Sequence, residues 1–197
     1  MHAAVDAAVD NAEVRAALDE LVQQIAPAGW SNSLALKLLS ITMPGVPDVY
    51  QGSEVEQFSL VDPDNRRPVD FNAAATSLAD GSVDKQHVTS TALRLRRDRP
   101  ELFTGHTPLH ADGPAVEHVL AFDRGGAVSV VTRLPFALAA QSWEGTTIGL
   151  PEGQWTNLLT GRGFETLAGA RSSTTGVGVD VAEVLGDLPV ALLVKEG

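Results

Sequence analysis

Pro44-Gly-Val-Pro-Asp-Val-Tyr-Gln-Gly-Ser-Glu54, followed by Ser59-Leu-Val-Asp-Pro-Asp-Asn-Arg-Arg-Pro-Val-Asp70, is the densest stretch of the chain, and its reading decides the fold. Pro44 and Gly45 punctuate, residues 46–50 are β-prone, and Gly52 permits a positive φ. The first run therefore predicts a turn, a buried strand and a glycine stop. The second predicts a loop stiffened by Pro63 and Pro68, holding Asp62, Asp64, Asp70, Arg66 and Arg67 close to the carboxyl end of that strand. Polar chemistry concentrates at such strand ends.

Upstream, the pattern is helical. Val5, Val9, Val14, Leu18, Leu21, Val22 and Ile25 recur at amphipathic-helix spacing over residues 3–26, with a break near Asp10-Asn11 and an end at Pro27-Ala-Gly29. Ser31-Asn-Ser33 offers caps for a second helix over 34–42, whose apolar positions are nearly continuous and imply burial on several sides. A strand as apolar as 46–50 needs neighbours on both edges, and no parallel partner for it is evident in the chain.

Downstream, residues 72–84 are small and polar and predict a loop or a short helix end. Residues 84–99 predict a helix stopped by Pro100, with Arg94, Arg96, Arg97 and Arg99 crowding its last turns, where they complement the macrodipole and local acids. After Phe103 the period changes to two. Residues 116–122, 127–134, 146–150, 155–159 and 190–194 are β-prone runs separated by Gly, Pro and Asn turns, at the spacing of an antiparallel sandwich. Residues 165–179 predict a long hairpin loop, and 181–185 a strand or a helical turn. The fold class expected is α+β, with residues 1–100 and 101–197 as two units.

A chain of 197 residues is long enough to bury a substantial core without staples. It contains no cysteine, which excludes disulfides and thiolate metal sites and favours a reducing compartment. A net charge of −11 and a pI near 4.7 argue against nucleic acid and anionic membrane as partners and favour a neutral ligand. The first residues carry no cationic, apolar leader and no run reaches membrane-spanning length, so a cytoplasmic location is expected.

The two runs resemble the last strand and following loop of the α-amylase superfamily barrel, in the version carried by the malto-oligosyltrehalose synthases. Pro-Gly-x-Pro-x-x-Tyr-x-Gly-x-Glu is common to many amylases; Tyr50-Gln-Gly with the run from Ser59 to Phe71 narrows the match. The resemblance extends thinly from about Ser31 onward, through Arg94-Leu-Arg-Arg-Asp-Arg-Pro-Glu-Leu-Phe103 and Gly153-Gln-Trp-Thr-Asn-Leu-Leu-Thr-Gly161. It implies the last helix, strand and helix of a (β/α)8 barrel followed by an antiparallel β-sandwich domain. It also implies an isomerase that turns the reducing-end α-1,4 linkage of a malto-oligosaccharide into an α,α-1,1 linkage. The N-terminal part of the same enzyme would complete the barrel, no cofactor is required, and the catalytic carboxylates would lie upstream, so no catalytic residue is assigned here.

From the residues alone, Asp62 and Arg66 suit two roles, a donor and acceptor pair for vicinal sugar hydroxyls or a brace that locks the loop. The resemblance favours the first, because the first Asp and the Arg of Asp-Pro-Asp-Asn-Arg contact a donor-side glucose in similar enzymes. Asp62, Arg66, Asp64, Arg67, Tyr50, Gln51 and Glu54 are therefore the candidate substrate-binding residues. Asp62-x-Asp64 imitates a calcium loop, but Arg66 occupies a ligand position, so no metal is expected. His106 and His110 flank a proline and make a poor metal pair, and Trp143 and Trp155 read as core before they read as a sugar platform. Two other functions fit the sequence: a different α-amylase-type glycosidase or transferase, and a non-catalytic glucan-binding or scaffolding β domain.

Overall fold

The computed structural model describes residues 2–59, 61, 66–80, 85–166, 172–173 and 176–195. Helix α1 (His2–Val9) is followed by a long α2 (Ala12–Thr42). The break between them falls where the sequence predicts it. Asn11 caps α2, its side-chain oxygen accepting from the amides of Glu13 and Val14 at 2.8 and 3.2 Å. The predicted stop at Pro27 is corrected, since α2 runs through it. Pro27 lies on an exposed part of the helix, where water can serve the Gln23 carbonyl that loses its partner. Burial is confined to the last third, at Ser31, Leu34, Ala35, Leu38, Ile41 and Thr42, a helical spacing that marks a single buried face.

The strand expected over 46–50 is a second correction. These residues form no regular structure, and Val46 is 96% exposed. A strand exists only with a ladder partner, and among the described residues none lies alongside. Asp70 caps α3 (Phe71–Asp80), its carboxylate accepting from the amides of Asn72 and Ala73 at 3.1 and 2.9 Å. The helix occupies most of the span read as loop or helix end. Helix α4 (Lys85–Asp98) falls where periodicity and Pro100 place it and leads into a 3-10 turn, Pro100–Phe103.

The remainder is antiparallel sheet. A six-stranded sheet orders β1 (Thr107–Leu109), β3 (Val119–Asp123), β4 (Ala127–Thr132), β10 (Val190–Lys195), β6 (Gly153–Asn157) and β7 (Arg162–Thr166). A four-stranded sheet orders β2 (Ala111–Asp112), β5 (Thr147–Leu150), β9 (Gly176–Asp180) and β8 (Ser172–Ser173). Two short helices, α5 (Pro135–Leu138) and α6 (Val181–Leu185), interrupt them. Strand β6 starts two residues earlier than the apolar run suggests. Strands β7, β8 and β9 occupy ground read as turn and hairpin loop, because small and polar residues there hide the period.

Strands β4 and β10 run almost wholly buried, and their registers show why. Val128, Val130, Ala191 and Leu193 point into a core shared with Ile148 and Leu150 of the smaller sheet, Trp155 and α6. Their alternates Val131, Val190 and Leu192 point the other way, against Leu34, Leu38 and Ile41 of α2 and Val88 and Ala92 of α4. The larger sheet is therefore covered on both faces, which a nearly continuous apolar strand requires. Fully burying a Leu or Val side chain contributes about 1.5–3 kcal/mol, so these layers dominate the stability of the fold.

Two arginines close the end of α2. Arg96 donates to the carbonyls of Ile41 and Gly45, and Arg124 to those of Thr42, Gly105 and Phe103. Both guanidinium groups lie about 6 Å from the centre of the Phe103 ring. The last carbonyls of a helix lack intrahelical donors and carry the negative end of its dipole, so cations are the natural partners.

Candidate functional site

The segment that the sequence marks as functional leaves α2 through Pro44 and Gly45 and tightens at Tyr50, Gln51, Gly52 and Ser53. The Tyr50 carbonyl accepts from the Ser53 amide at 3.0 Å and from its hydroxyl at 2.6 Å. Gly52 takes φ +78° at the third position of this turn, a value that favours glycine. A Cβ there would approach Gln57 Nε2 to 2.5 Å and Val69 Cγ2 to 3.0 Å, so the exposed Gln57 side chain would have to swing aside, and it is the left-handed φ that calls for glycine.

Two lysines hold the loop from below. Lys37 of α2 donates from Nζ to Ser53 Oγ at 3.2 Å, and Lys85 at the start of α4 donates to the Val55 carbonyl at 3.3 Å. Burial, and then the neighbouring Lys85, push the Lys37 pKa below the ordinary lysine value, while Glu54 and Asp48 act in the opposite sense. Burial likewise lowers Lys85, against Glu56 and Glu54. Two partly desolvated ammonium groups thus face a loop carrying Asp48, Glu54 and Glu56.

A hollow of about 1060 Å³ opens beside this loop. Its walls are largely apolar, with Val22, Ile25, Trp30, Phe58 and Phe136 around Glu56, Gln57 and Lys85. A smaller one, about 330 Å³, is walled by Trp30, Val55, Glu56 and Lys85. Apolar walls with a few polar groups of both signs suit a ligand that has faces of both kinds.

No family model matches the chain. It is 44% identical, over 182 residues and 91% of its length, to maltooligosyl trehalose synthases of two Mycobacterium tuberculosis strains, CDC 1551 / Oshkosh and H37Rv. Its fold superposes on the structure of maltooligosyltrehalose synthase from Arthrobacter ramosus with a TM-score of 0.86 and 46% identity over 98% of the chain. The chain is a homologue of the maltooligosyltrehalose synthases. It spans 22% of the length of the mycobacterial synthases and 26% of the Arthrobacter chain, and matches the C-terminal region of such a synthase. A DSM5389 glycosyltrehalose synthase, 21% identical with a TM-score of 0.70, shares the fold.

Of the seven candidate residues in this synthase homologue, the structure gathers three. Tyr50, about half exposed, the exposed Gln51 and the half-buried Glu54 share the Gly52 turn and the loop after it. Arg66 and Arg67 lie on the surface before α3, and Asp62 and Asp64 lie outside the described residues, so the Asp62–Arg66 pair does too. Trp30, Lys37 and Lys85 are missing from the sequence reading. A single lysine inside the apolar run 34–42 is the one signal that pointed to any of them.

Residues weighed for other chemistry have structural places. Trp155 is 1% exposed, with its indole N–H donating to the Pro151 carbonyl at 3.0 Å, and Trp143 packs against the same core. His106 stacks on Phe122 with ring centres 5.2 Å apart. Arg97 and Arg99 pair with Asp98 and Glu101 at 2.6 and 2.5 Å, as the helix-end reading expects, whereas Arg96 turns inward to α2.

Proposed function

We propose that this chain is the C-terminal working part of an isomerase that converts the reducing-end α-1,4 linkage of a malto-oligosaccharide to α,α-1,1. The observation that carries the reading is 46% identity with a TM-score of 0.86 to a maltooligosyltrehalose synthase across 98% of the chain. In this reading residues 1–100 supply the last helix, strand and helix of a (β/α)8 barrel, and residues 101–197 a β-sandwich domain. The exposed apolar positions Val14, Leu18 and Leu21 on one face of α2 support it, since such a row on one helix suits neighbouring structure of the kind a barrel would supply. The unladdered, apolar segment 46–50 would then find its parallel partners in the N-terminal part of the same enzyme.

The reaction belongs to retaining carboxylate chemistry, in which an upstream nucleophile holds a glucosyl group while the released glucose turns and attacks through its anomeric hydroxyl. Such a step needs walls that hold the freed sugar and exclude water. Asp62, Asp64, Arg66, Arg67, Tyr50, Gln51 and Glu54 form part of that wall, in the cytoplasm and without cofactor. Malto-oligosaccharide is the substrate.

Substituting Arg66 in the longer enzyme tests the reading. Arg66→Ala removes charge-assisted hydrogen bonds of about 1.5–3 kcal/mol, so kcat/KM on maltopentaose should fall by about ten- to a hundredfold with the fold intact. Arg66→Lys keeps the charge but loses the planar fork and should recover little. Wild-type kcat/KM with a lowered melting temperature in Arg66→Ala would make the pair a loop brace and remove it from the site.

A further inference from the structure

We propose that Trp30, Glu56 and Lys85 form a saccharide subsite of their own, in which one pyranose ring lies against the Trp30 indole with its hydroxyls on the Glu56 carboxylate and the Lys85 ammonium. The proposal rests on the glucan-acting function above and adds to it a contact point outside the 62–67 loop motif.

Three observations converge on these residues. They are the side chains common to both hollows beside the Gly52 loop, the 330 Å³ one and the 1060 Å³ one. Trp30 is half-buried on the helix layer, anchored below by the core of α2 and α4 while bordering open space above. Glu56 and Lys85 are of opposite charge, yet among the described residues no ion pair joins them. Lys85 spends one of its three donors on the Val55 carbonyl, leaving two to present to the hollow.

A hexopyranose has a face of C–H groups and a rim of hydroxyls that both donate and accept. An indole face covers the first, and an acceptor carboxylate beside a donor ammonium serves the second. An anionic ligand is disfavoured by the carboxylate in the wall and by the net charge of −11. A purely apolar ligand would strand both charges without partners. The partly buried setting of Lys85 fits a donor kept close to its task by surrounding protein.

The test uses the 197-residue chain itself, titrated with maltotriose and maltopentaose while the three indole N–H signals are followed by proton–nitrogen NMR. The Trp30 signal should shift saturably, with a Kd of about 1–10 mM, while the core Trp155 signal stays in place. Trp30→Ala should weaken binding at least tenfold, Trp30→Phe should retain part of it with an unchanged melting temperature, and Glu56→Gln and Lys85→Met should each weaken it severalfold. Arg162→Ala, on the edge strand β7 of the larger sheet, should leave it unchanged. Binding that survives Trp30→Ala, binding lost equally in Arg162→Ala, or no saturable shift with either sugar would each overturn the subsite. Turnover by the longer enzyme does not enter this measurement, so a failed subsite and a failed assignment of the reaction give different results.

Discussion

Arg124, in the turn between β3 and β4, donates to the carbonyl oxygen of Thr42, the last residue of α2, across 82 positions of sequence. The same guanidinium serves Phe103 at 2.6 Å and Gly105, so one side chain 5% exposed joins the helix end, the 3-10 turn and the strand turn. Arg124→Met would leave the carbonyls of the buried Thr42 and Phe103, and that of the exposed Gly105, without this donor, and stability should fall by about 2–4 kcal/mol in urea titration. Arg124→Lys should recover less than half, because an ammonium cannot span the three oxygens as the planar fork does. Full recovery by lysine would show that charge, not shape, is what the site requires.

Thr42 makes a second link to the sheet. Its hydroxyl donates to the Leu38 carbonyl at 2.8 Å and accepts from Ser129 Oγ at 2.9 Å, with both residues buried. Thr42→Val keeps the volume and strands the Ser129 hydroxyl, for an expected loss of about 1–3 kcal/mol. Removing the partner as well, in Thr42→Val with Ser129→Ala, should give less than the sum of the single effects. Strict additivity in that cycle would mean that the two hydroxyls do not interact.

Leu38 and Leu18 sit on one helix in opposite situations, 0% and 55% exposed. Leu38→Ala should cost about 2–5 kcal/mol in this chain, and Leu18→Ala under about 0.5. If the proposed barrel neighbours cover this part of α2, Leu18→Ala should become costly in the longer enzyme. An unchanged melting temperature for Leu18→Ala there would argue against that covering.

Gly52→Ala should loosen the loop that carries Tyr50, Gln51 and Glu54. The left-handed φ imposed on a residue that carries a Cβ should cost about 1–2 kcal/mol locally. Hydrogen exchange should then accelerate over residues 50–58 while β4 and β10 keep their protection. Unaltered exchange in the loop would contradict the role given to Gly52.

The lysine pair gives a pH signature. Lys37 and Lys85 have folded-state pKa values lowered chiefly by burial, so the folded chain binds fewer protons than the unfolded chain in the interval below the ordinary lysine value. Stability should therefore rise with pH across that interval and level off above about 10.4. The difference in unfolding free energy between wild type and Lys37→Met with Lys85→Met should grow in favour of wild type as pH rises towards the ordinary lysine value of about 10.4. A pH-independent difference would show that the ammonium groups are as well solvated folded as unfolded.

Much of the sheet was legible because β4, β5 and β10 carry apolar runs bounded by turn residues, and the Asn11 cap and Pro100 stop are short-range signals. The segment 46–50 misled because propensity gives a strand a reason to form, but only a partner supplies the ladder, and none lies alongside among the described residues. Pro27 misled in the opposite direction, since on an exposed face one missing donor does not outweigh a run of good helix formers around it. At the site, Tyr50, Gln51, Gly52 and Glu54 could be read because a turn is local. Lys85 and Trp30 could not, as they meet the loop only through the packing of α4 on α2, and neither has a spacing that announces it.

The two-sided burial of β4 and β10 has a consequence for how such a protein can be rebuilt. A fusion that borrowed only the sheets would carry Val131, Val190 and Leu192 into water, because the helices that cover them lie before residue 100. The seam at which this region can be transplanted between synthases therefore runs ahead of Ser31, so that α2's buried third and α4 travel with the strands. A recombination point near Phe103, attractive on the printed sequence, would cut a shared core in two.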